Sequence, residues 1–332
     1  MRLKPCAIWR SELAASRTGI ATKPVFPRFS SGPEPAQVTV GANVMEFKHI
    51  LFPVDFSRRA HGAAAHIRGL VQRFRASLTL VHAAEEPWQW YGGVDAPVLP
   101  AIPWPEIEAD AQSRLDAFAA AEFPGMSVGS VILRGDPATT VINYAGVHKV
   151  DMIALPTHGR GIFRAALLGS VTAKILHDSP CPVWTDAHCE KSPVHADRGW
   201  RSILCAIDTG PESNRLIHAA ADLGKQCDAV VRLVHAVPGG EAGQERSFDM
   251  EFRRFLEDTA RSTISDLQHT SGTSFEVCLG AGSPGQVVKA EAEYHDADLV
   301  IIGHGHLRAL AGRLRTDTYG IIRSASCPVL SL

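Results

Sequence analysis

The residues best suited to chemistry lie in one segment, Pro156-Thr157-His158-Gly159-Arg160-Gly161-Ile162-Phe163-Arg164-Ala165-Ala166-Leu167-Leu168-Gly169-Ser170-Val171-Thr172. Its composition is that of an anion cradle. Gly159 and Gly161 let the backbone turn close to a ligand, and Gly169 permits close approach or a positive φ. Ser170 and Thr172 open a helix whose N–H groups and positive dipole end suit phosphate, with Arg160 and Arg164 able to add charge. The same residues also read as a Gly-containing surface turn followed by an ordinary Ser N-cap. Asp55 closes an apolar run, Ile50-Leu51-Phe52-Pro53-Val54-Asp55. A carboxylate there cannot favour phosphate unaided. It must accept from a hydroxyl or amine, or belong to a Mg²⁺ shell.

Other constellations are weaker. His304 and His306, with His158, form no set with Cys or carboxylate at ligand spacing, so no metal site is expected. His82 and His235 stand at matching strand ends and read as structural. The 7 cysteines are odd in number and share no short spacing, which excludes a disulfide framework and points to a reducing, cytoplasmic setting. Cys181 and Cys327 each precede Pro-Val in an apolar segment and read as core thiols. No nucleophile elbow, P-loop or G-x-G-x-x-G after the first strand is found, which disfavours a serine hydrolase, a P-loop NTPase and a dinucleotide dehydrogenase.

The elements that must position the cradle emerge from an internal repeat. Ile50–Asp55 recurs as Ile203–Asp208, Leu80-Val81-His82-Ala83 as Leu233-Val234-His235-Ala236, Asp151–Leu155 as Asp298–Ile302, and Cys181-Pro182-Val183 as Cys327-Pro328-Val329. Four matches in the same order make a tandem duplication, with the second copy slightly shorter in its middle. In copy one the pattern predicts strands at 49–55, 77–83, 127–134, 151–156 and 181–185, with helices at 58–74, about 105–121, 137–148 and from Ser170. Such alternation, with Val/Ile/Leu-rich strands, predicts an α/β fold of two tandem doubly wound five-stranded parallel-sheet domains. Ligands of such sheets bind outside the strands' carboxyl ends, where strand order reverses. The expected divisions are 1–44, 45–186, a linker at 187–200, and 201–332. Residues 1–44 carry five prolines and no sustained period, and read either as a disordered tail or as an extension upstream of a true start at Met45. The insert Glu85–Pro105 carries Trp88, Trp90, Tyr91 and Trp104; it either lids a cleft or, the favoured reading, packs against the second copy.

These motifs together resemble the universal stress protein family. Its G-x-x-G, nine residues, G-[S/T] signature is matched by Gly159, nine residues, then Gly169-Ser170, with Pro156 standing where the first glycine belongs. The Ile-Leu-Phe-Pro-Val-Asp-Phe-Ser opening, the Arg134-Gly135-Asp136-Pro137 turn and the closing Cys181-Pro182-Val183 extend the likeness over 46–185 and, more weakly, 201–332. The resemblance implies a Rossmann-like fold of the adenine nucleotide alpha hydrolase type that binds ATP, with or without Mg²⁺. By carry-over, Pro53, Asp55 and Ala83 would lie near the adenosine; Leu155, Gly159, Gly169, Ser170, Val171 and Thr172 would line the ribose and phosphates, with Arg160 beside them. It also implies pairing through last strands, Pro182–Thr185 with Pro328–Leu332 inside one chain, or between two chains in a homodimer. The expected role is a nucleotide-dependent stress-response regulator, at most a slow ATPase; the alternatives are an ATP-hydrolysing or adenylyl-transferring enzyme and an interaction module without nucleotide. In copy two, Arg315-Thr316 replaces the Gly-Ser pair and Asp317 follows, so a vacant or weakened site is expected there.

Length and charge agree. The chain has 332 residues, 45% hydrophobic, with 33 basic against 35 acidic residues, a balance that argues against nucleic acid or membrane phosphates as partners. Its apolar runs are strand-length, which reads as a soluble protein.

Overall fold

The computed structural model describes residues 45–85, 103–157, 168–187, 199–239, 247–303 and 313–332, with only the backbone described for 247–249 and 313–316. Residues 1–44, Trp88, Trp90, Tyr91 and most of the expected linker lie outside the described residues. In copy one the elements are β1 (His49–Pro53), α1 (Arg58–Phe74), β2 (Ser77–Ala84), α2 (Trp104–Glu122), β3 (Val128–Arg134), α3 (Pro137–Val147), β4 (Met152–Pro156), α4 (Ser170–Asp178) and β5 (Val183–Asp186). Copy two repeats them as β6 (Ser202–Ala206), α5 (Ser213–Cys227), β7 (Val230–Val237), α6 (Ser247–Ser271), β8 (Glu276–Ala281), α7 (Pro284–Tyr294), β9 (Leu299–Ile302), α8 (Arg313–Ser324) and β10 (Val329–Ser331).

The strands of the described residues join one sheet, in the order β3-β2-β1-β4-β5-β10-β9-β6-β7-β8. Pairing is parallel within each copy. The seam is antiparallel, with Val183, Trp184 and Thr185 opposite Ser331, Leu330 and Val329. A duplicated chain can close its own pair of last strands in this way, which covers two edges that would otherwise offer unpaired backbone groups.

The seam does not interrupt the cores. One apolar cluster holds Ile67, Leu115 and Phe118 of copy one with Ile217, Leu223 and Ile264 of copy two. The other holds Val141, Ile175 and Leu176 with Val287, Val288 and Ile322. Thus α1, α2, α5 and α6 cover one face and α3, α4, α7 and α8 the other, and the strands, buried on both faces, read as continuous apolar runs. Trp184 is fully buried in the seam strand, and the Tyr319 hydroxyl of α8 donates to the Ala173 carbonyl of α4, 3.2 Å away. Trp200, at the end of the expected linker, is buried with its ring 5.6 Å from that of Phe74.

Several repeated residues prove to be architectural. Asp151 Oδ2 accepts from the Lys48 and His49 N–H groups, both at 2.8 Å, and Asp298 Oδ2 accepts from Arg201 and Ser202 at 2.8 and 2.9 Å. Nδ1 of His82 donates to the Val54 carbonyl at 2.7 Å and that of His235 to Ile207 at 2.8 Å. Both histidines are structural, as their matching positions led one to expect. Cys327 is buried, and burial pushes its thiol up to about 12; burial also raises Cys181, which is half-buried. Gly285 is required by close helix packing, because a Cβ there would lie 2.9 Å from the Gly320 backbone carbon in α8.

Candidate functional site

In copy one the strand order reverses between β1 and β4, and the residues singled out from the sequence gather at their carboxyl ends. Pro53 ends β1 opposite Val81. The strand stops there rather than at 55, because Asp55 begins a tight turn. Its Oδ1 accepts the Ser57 N–H at 2.9 Å across Phe56, which sits at φ 58°. Ser57 then caps α1 by accepting the Ala60 N–H at 3.2 Å. Copy two repeats the turn, with Asp208 Oδ1 accepting the Gly210 N–H at 2.8 Å across Thr209 at φ 61°. Ala83, half-buried, lies at the end of β2 opposite Leu133. Leu155 is buried in β4 opposite Thr185.

The cradle's second half is α4. The helix begins at Ser170, where the sequence places it; its N-cap is Gly169, in an extended conformation at φ −61°, ψ 144°, so the positive φ open to this glycine is not taken and the alternative of an ordinary Ser N-cap is not realised. The reason is a backbone tie: the Gly169 N–H donates to the Thr157 carbonyl at 3.1 Å, holding the helix start against the end of β4. Gly169 has no side chain to cap α4, and exposed Ser170 becomes the first helical residue. Thr172 is buried and its hydroxyl donates to the Pro156 carbonyl at 3.3 Å, so that side chain ties α4 to β4. Val171 between them is half-buried. What the described residues offer an anion is therefore the first-turn N–H groups of a nine-residue helix and the Ser170 hydroxyl. Gly159, Gly161, Arg160, Arg164 and His158 lie outside the described residues.

Sequence reading missed a cation. Lys174, one turn into α4, places its Nζ 3.0 Å from Asp136 Oδ2 and 2.6 Å from the Thr139 hydroxyl. Asp136 caps α3 through the Thr139 N–H at 2.9 Å. The Thr139 hydroxyl and N–H, then Lys174, lower the Asp136 carboxyl to about 2. No spacing rule links residues 136 and 174; only the α3–α4 packing does. The Arg134 guanidinium pairs with Glu108 and lies 4.9 Å from the Trp104 ring centroid, so Trp104 packs within its own copy, not against the second.

Copy two differs where the cradle would be. Aligned on Cys181 and Cys327, Ser170 corresponds to Thr316, yet α8 already begins at Arg313. Arg315 stands where Gly169 precedes α4, so the helix starts most of a turn earlier, at the residue after Gly312. Asp317 is consequently inside α8 and exposed, not at its start as expected from sequence. His304, Gly305 and His306 lie outside the described residues. A shallow open cavity of about 380 Å³ lies elsewhere on copy two, lined by Arg261, Gln268, His269, Thr273 and Val277. It is at the amino end of β8, the edge of the sheet opposite the one at which ligands of this fold bind.

A twice-repeated, doubly wound parallel half-sheet with a helix start at its switch point defines a class of α/β protein. Its members include the one this chain matches: the model of the universal stress protein family fits residues 46–185 and again 199–332, so the chain belongs to that family, in tandem. It is 31% identical to a universal stress protein of Thermus aquaticus over 137 residues, 41% of this chain and 96% of that protein. It is also 31% identical to one of Synechocystis over 144 residues, 42% of this chain and 85% of the relative. The fold is that of a universal stress protein from Archaeoglobus fulgidus, with a TM-score of 0.60 at 18% identity over 86% of this chain and 97% of the other.

Proposed function

We propose that copy one binds ATP in the β1/β4 crevice and that the protein acts as a nucleotide-dependent stress-response regulator, with copy two as its fixed partner. The observation that carries this reading is the start of α4. It opens at the switch point with no side-chain cap, so its first-turn N–H groups and dipole are suited to a phosphate. The near-neutral charge of the chain fits an anion site built from backbone groups. The residues fit the nucleotide as follows. Ser170 and Val171 would hold the phosphates, together with Gly159 and Arg160. Asp55, Pro53 and Ala83 would face the nucleoside, with Asp55 using the carboxylate oxygen its turn leaves over, toward a sugar hydroxyl, an amine or Mg²⁺. Pro156 supplies no N–H, and the Gly169 N–H is held by Thr157, so the contact set is smaller than the family signature implies. Copy two, with α8 running over the corresponding place, would be vacant or weak.

A second reading, an interaction module without nucleotide, is favoured by one observation: the Gly169 N–H and the Thr172 hydroxyl already donate to the Thr157 and Pro156 carbonyls within the fold. One measurement separates the two. Denaturing the purified protein and identifying released small molecules by mass should yield adenine nucleotide at about one per chain; no nucleotide, and no ATP binding by calorimetry, would favour the module. Gly169→Asp, which charges and fills the helix start, should abolish ATP binding, and retained micromolar affinity would refute this site.

A further inference from the structure

Among the described residues, copy two carries a side-chain cluster that copy one lacks. Cys278 lies in β8 with its side chain in the core beneath α7. Glu291 is in the last turn of α7 and His295 caps that helix, so their i, i+4 spacing sets both on one helix face. His295 Nε2 is 3.5 Å from Cys278 Sγ and 3.4 Å from Glu291 Oε2, and one donor atom from each of the three residues lies within 4.8 Å of the others. The Ser202 hydroxyl donates to the His295 carbonyl at 3.0 Å, anchoring the helix end to β6.

A Cys beside a His first suggests a nucleophile. The surroundings oppose it, because burial, followed by the neighbouring Glu291 charge, pushes the Cys278 thiol up to about 11, whereas an active thiol needs to be lowered. A thiol, a carboxylate and an imidazole converging on one point make chemical sense around a divalent cation, which compensates the like charges of thiolate and carboxylate. The spacing agrees. Zinc bonds of about 2.3 Å to sulfur and about 2.0–2.1 Å to nitrogen or oxygen, at tetrahedral angles, require an S···N edge of about 3.6 Å and an N···O edge of about 3.4 Å. Cys278 is buried, while the side chains of His295 and Glu291 are 13% and 25% exposed, which leaves one open side for entry and for a fourth, solvent ligand.

We infer that Cys278, Glu291 and His295 form a binding site for one tetrahedral divalent cation of the zinc class, held between β8 and α7 of the second copy. On binding, the Cys278 S–H bond breaks and its proton passes to solvent as the sulfur–metal bond forms; Glu291 contributes its carboxylate and His295 its neutral Nε2 lone pair. The register that sets Ile132 opposite His82 and Leu279 opposite His235 makes Val131, Tyr144 and His148 the copy-one counterparts. There Tyr144 stacks on His148 with centroids 3.9 Å apart, and only the histidine of the ligand set remains.

Cobalt(II) added to the full-length, chelator-stripped protein tests this. The expected result is a near-ultraviolet thiolate-to-cobalt charge-transfer band with visible bands of tetrahedral cobalt, saturating at one equivalent and bleached by zinc. Cys278→Ser should remove the charge-transfer band, and His295→Ala should weaken cobalt binding by roughly 100-fold or more, given that even outer-sphere changes cost about 10–100-fold. Absence of the band in the wild type, or its survival in Cys278→Ser, would overturn the site. Glu291→Gln, a near-isosteric change at a partly exposed position, keeps the question open to refutation should the core variants misfold: at least about ten-fold weaker binding is expected, and unchanged affinity counts against it.

Discussion

Asp151 and Asp298 show what a residue shared by both copies does here. Each carboxylate gathers two consecutive N–H groups at the entry to the first strand of its copy. Charge-assisted bonds of this kind are each worth about 1.5–3 kcal/mol where they are shielded, and less where water competes. Asp151→Ala should therefore cost about 2 kcal/mol, read from the urea midpoint, and Asp298→Ala a similar amount; a change within error in both would mean that water replaces the carboxylate at no cost. The Asp55 and Asp208 turns and the His82 and His235 bonds repeat in the same way. Repetition marked the residues that build the turns. The residues that differ between copies, Gly169-Ser170 against Arg315-Thr316 and Val131, Tyr144 against Cys278, Glu291, are the ones on which a difference in ligand would rest. The sequence hid the Cys278 cluster because Glu291 and His295 follow the cysteine by a strand end and a whole helix, so no short motif contains all three.

Among the elements, the periodic ones were the most legible. The helix expected at 58–74 is α1, Arg58–Phe74, because its apolar stripe, its Ser57 cap and the left-handed Arg75 after it all agree. Boundaries failed where a side chain overrules the apolar pattern. The first strand was expected to reach 55, but the Asp55 turn ends it at Pro53, and α8 starts earlier than α4 because Arg315, not glycine, stands at the position of Gly169. The α3–α4 junction was not legible at all, since Asp136 and Lys174 meet only through helix packing. Asp136→Ala removes both that contact and the α3 cap, and should cost about 1 kcal/mol. Its pH dependence has a fixed sign. Asp136 titrates at about 2 in the fold against about 3.9 in an unfolded chain. Its stabilisation is thus complete above the unfolded value and lost as the pH falls through the folded one. The carboxylate is half exposed, so salt should reduce the effect. Denaturant midpoints of wild type and variant should converge as the solution is acidified; a gap that widens in acid would contradict this account.

For the whole molecule the decisive feature is that both apolar clusters run across the seam. Two copies sharing two cores should unfold together, so the Trp184 and Trp200 fluorescence change and the far-ultraviolet signal should trace one coincident transition. Two separated transitions would show that the copies are independent. Trp184→Ala, at the seam, should lower stability by about 3–5 kcal/mol while keeping the transition single. Among the described residues no helix is long and apolar enough to cross a membrane. The fold class was legible because strand–helix alternation leaves few arrangements that bury every strand; the pairing of last strands was implied by the family resemblance alone.

The antiparallel seam between β5 and β10 has one more consequence. Joined by a single backbone, the two unlike halves meet in a first-order process, so dilution does not part them and their melting should not depend on protein concentration. Every molecule also carries the halves in a fixed one-to-one ratio, whatever the rate of synthesis. Neither half can trade partners with single-domain relatives, because the strand that would do so is already taken.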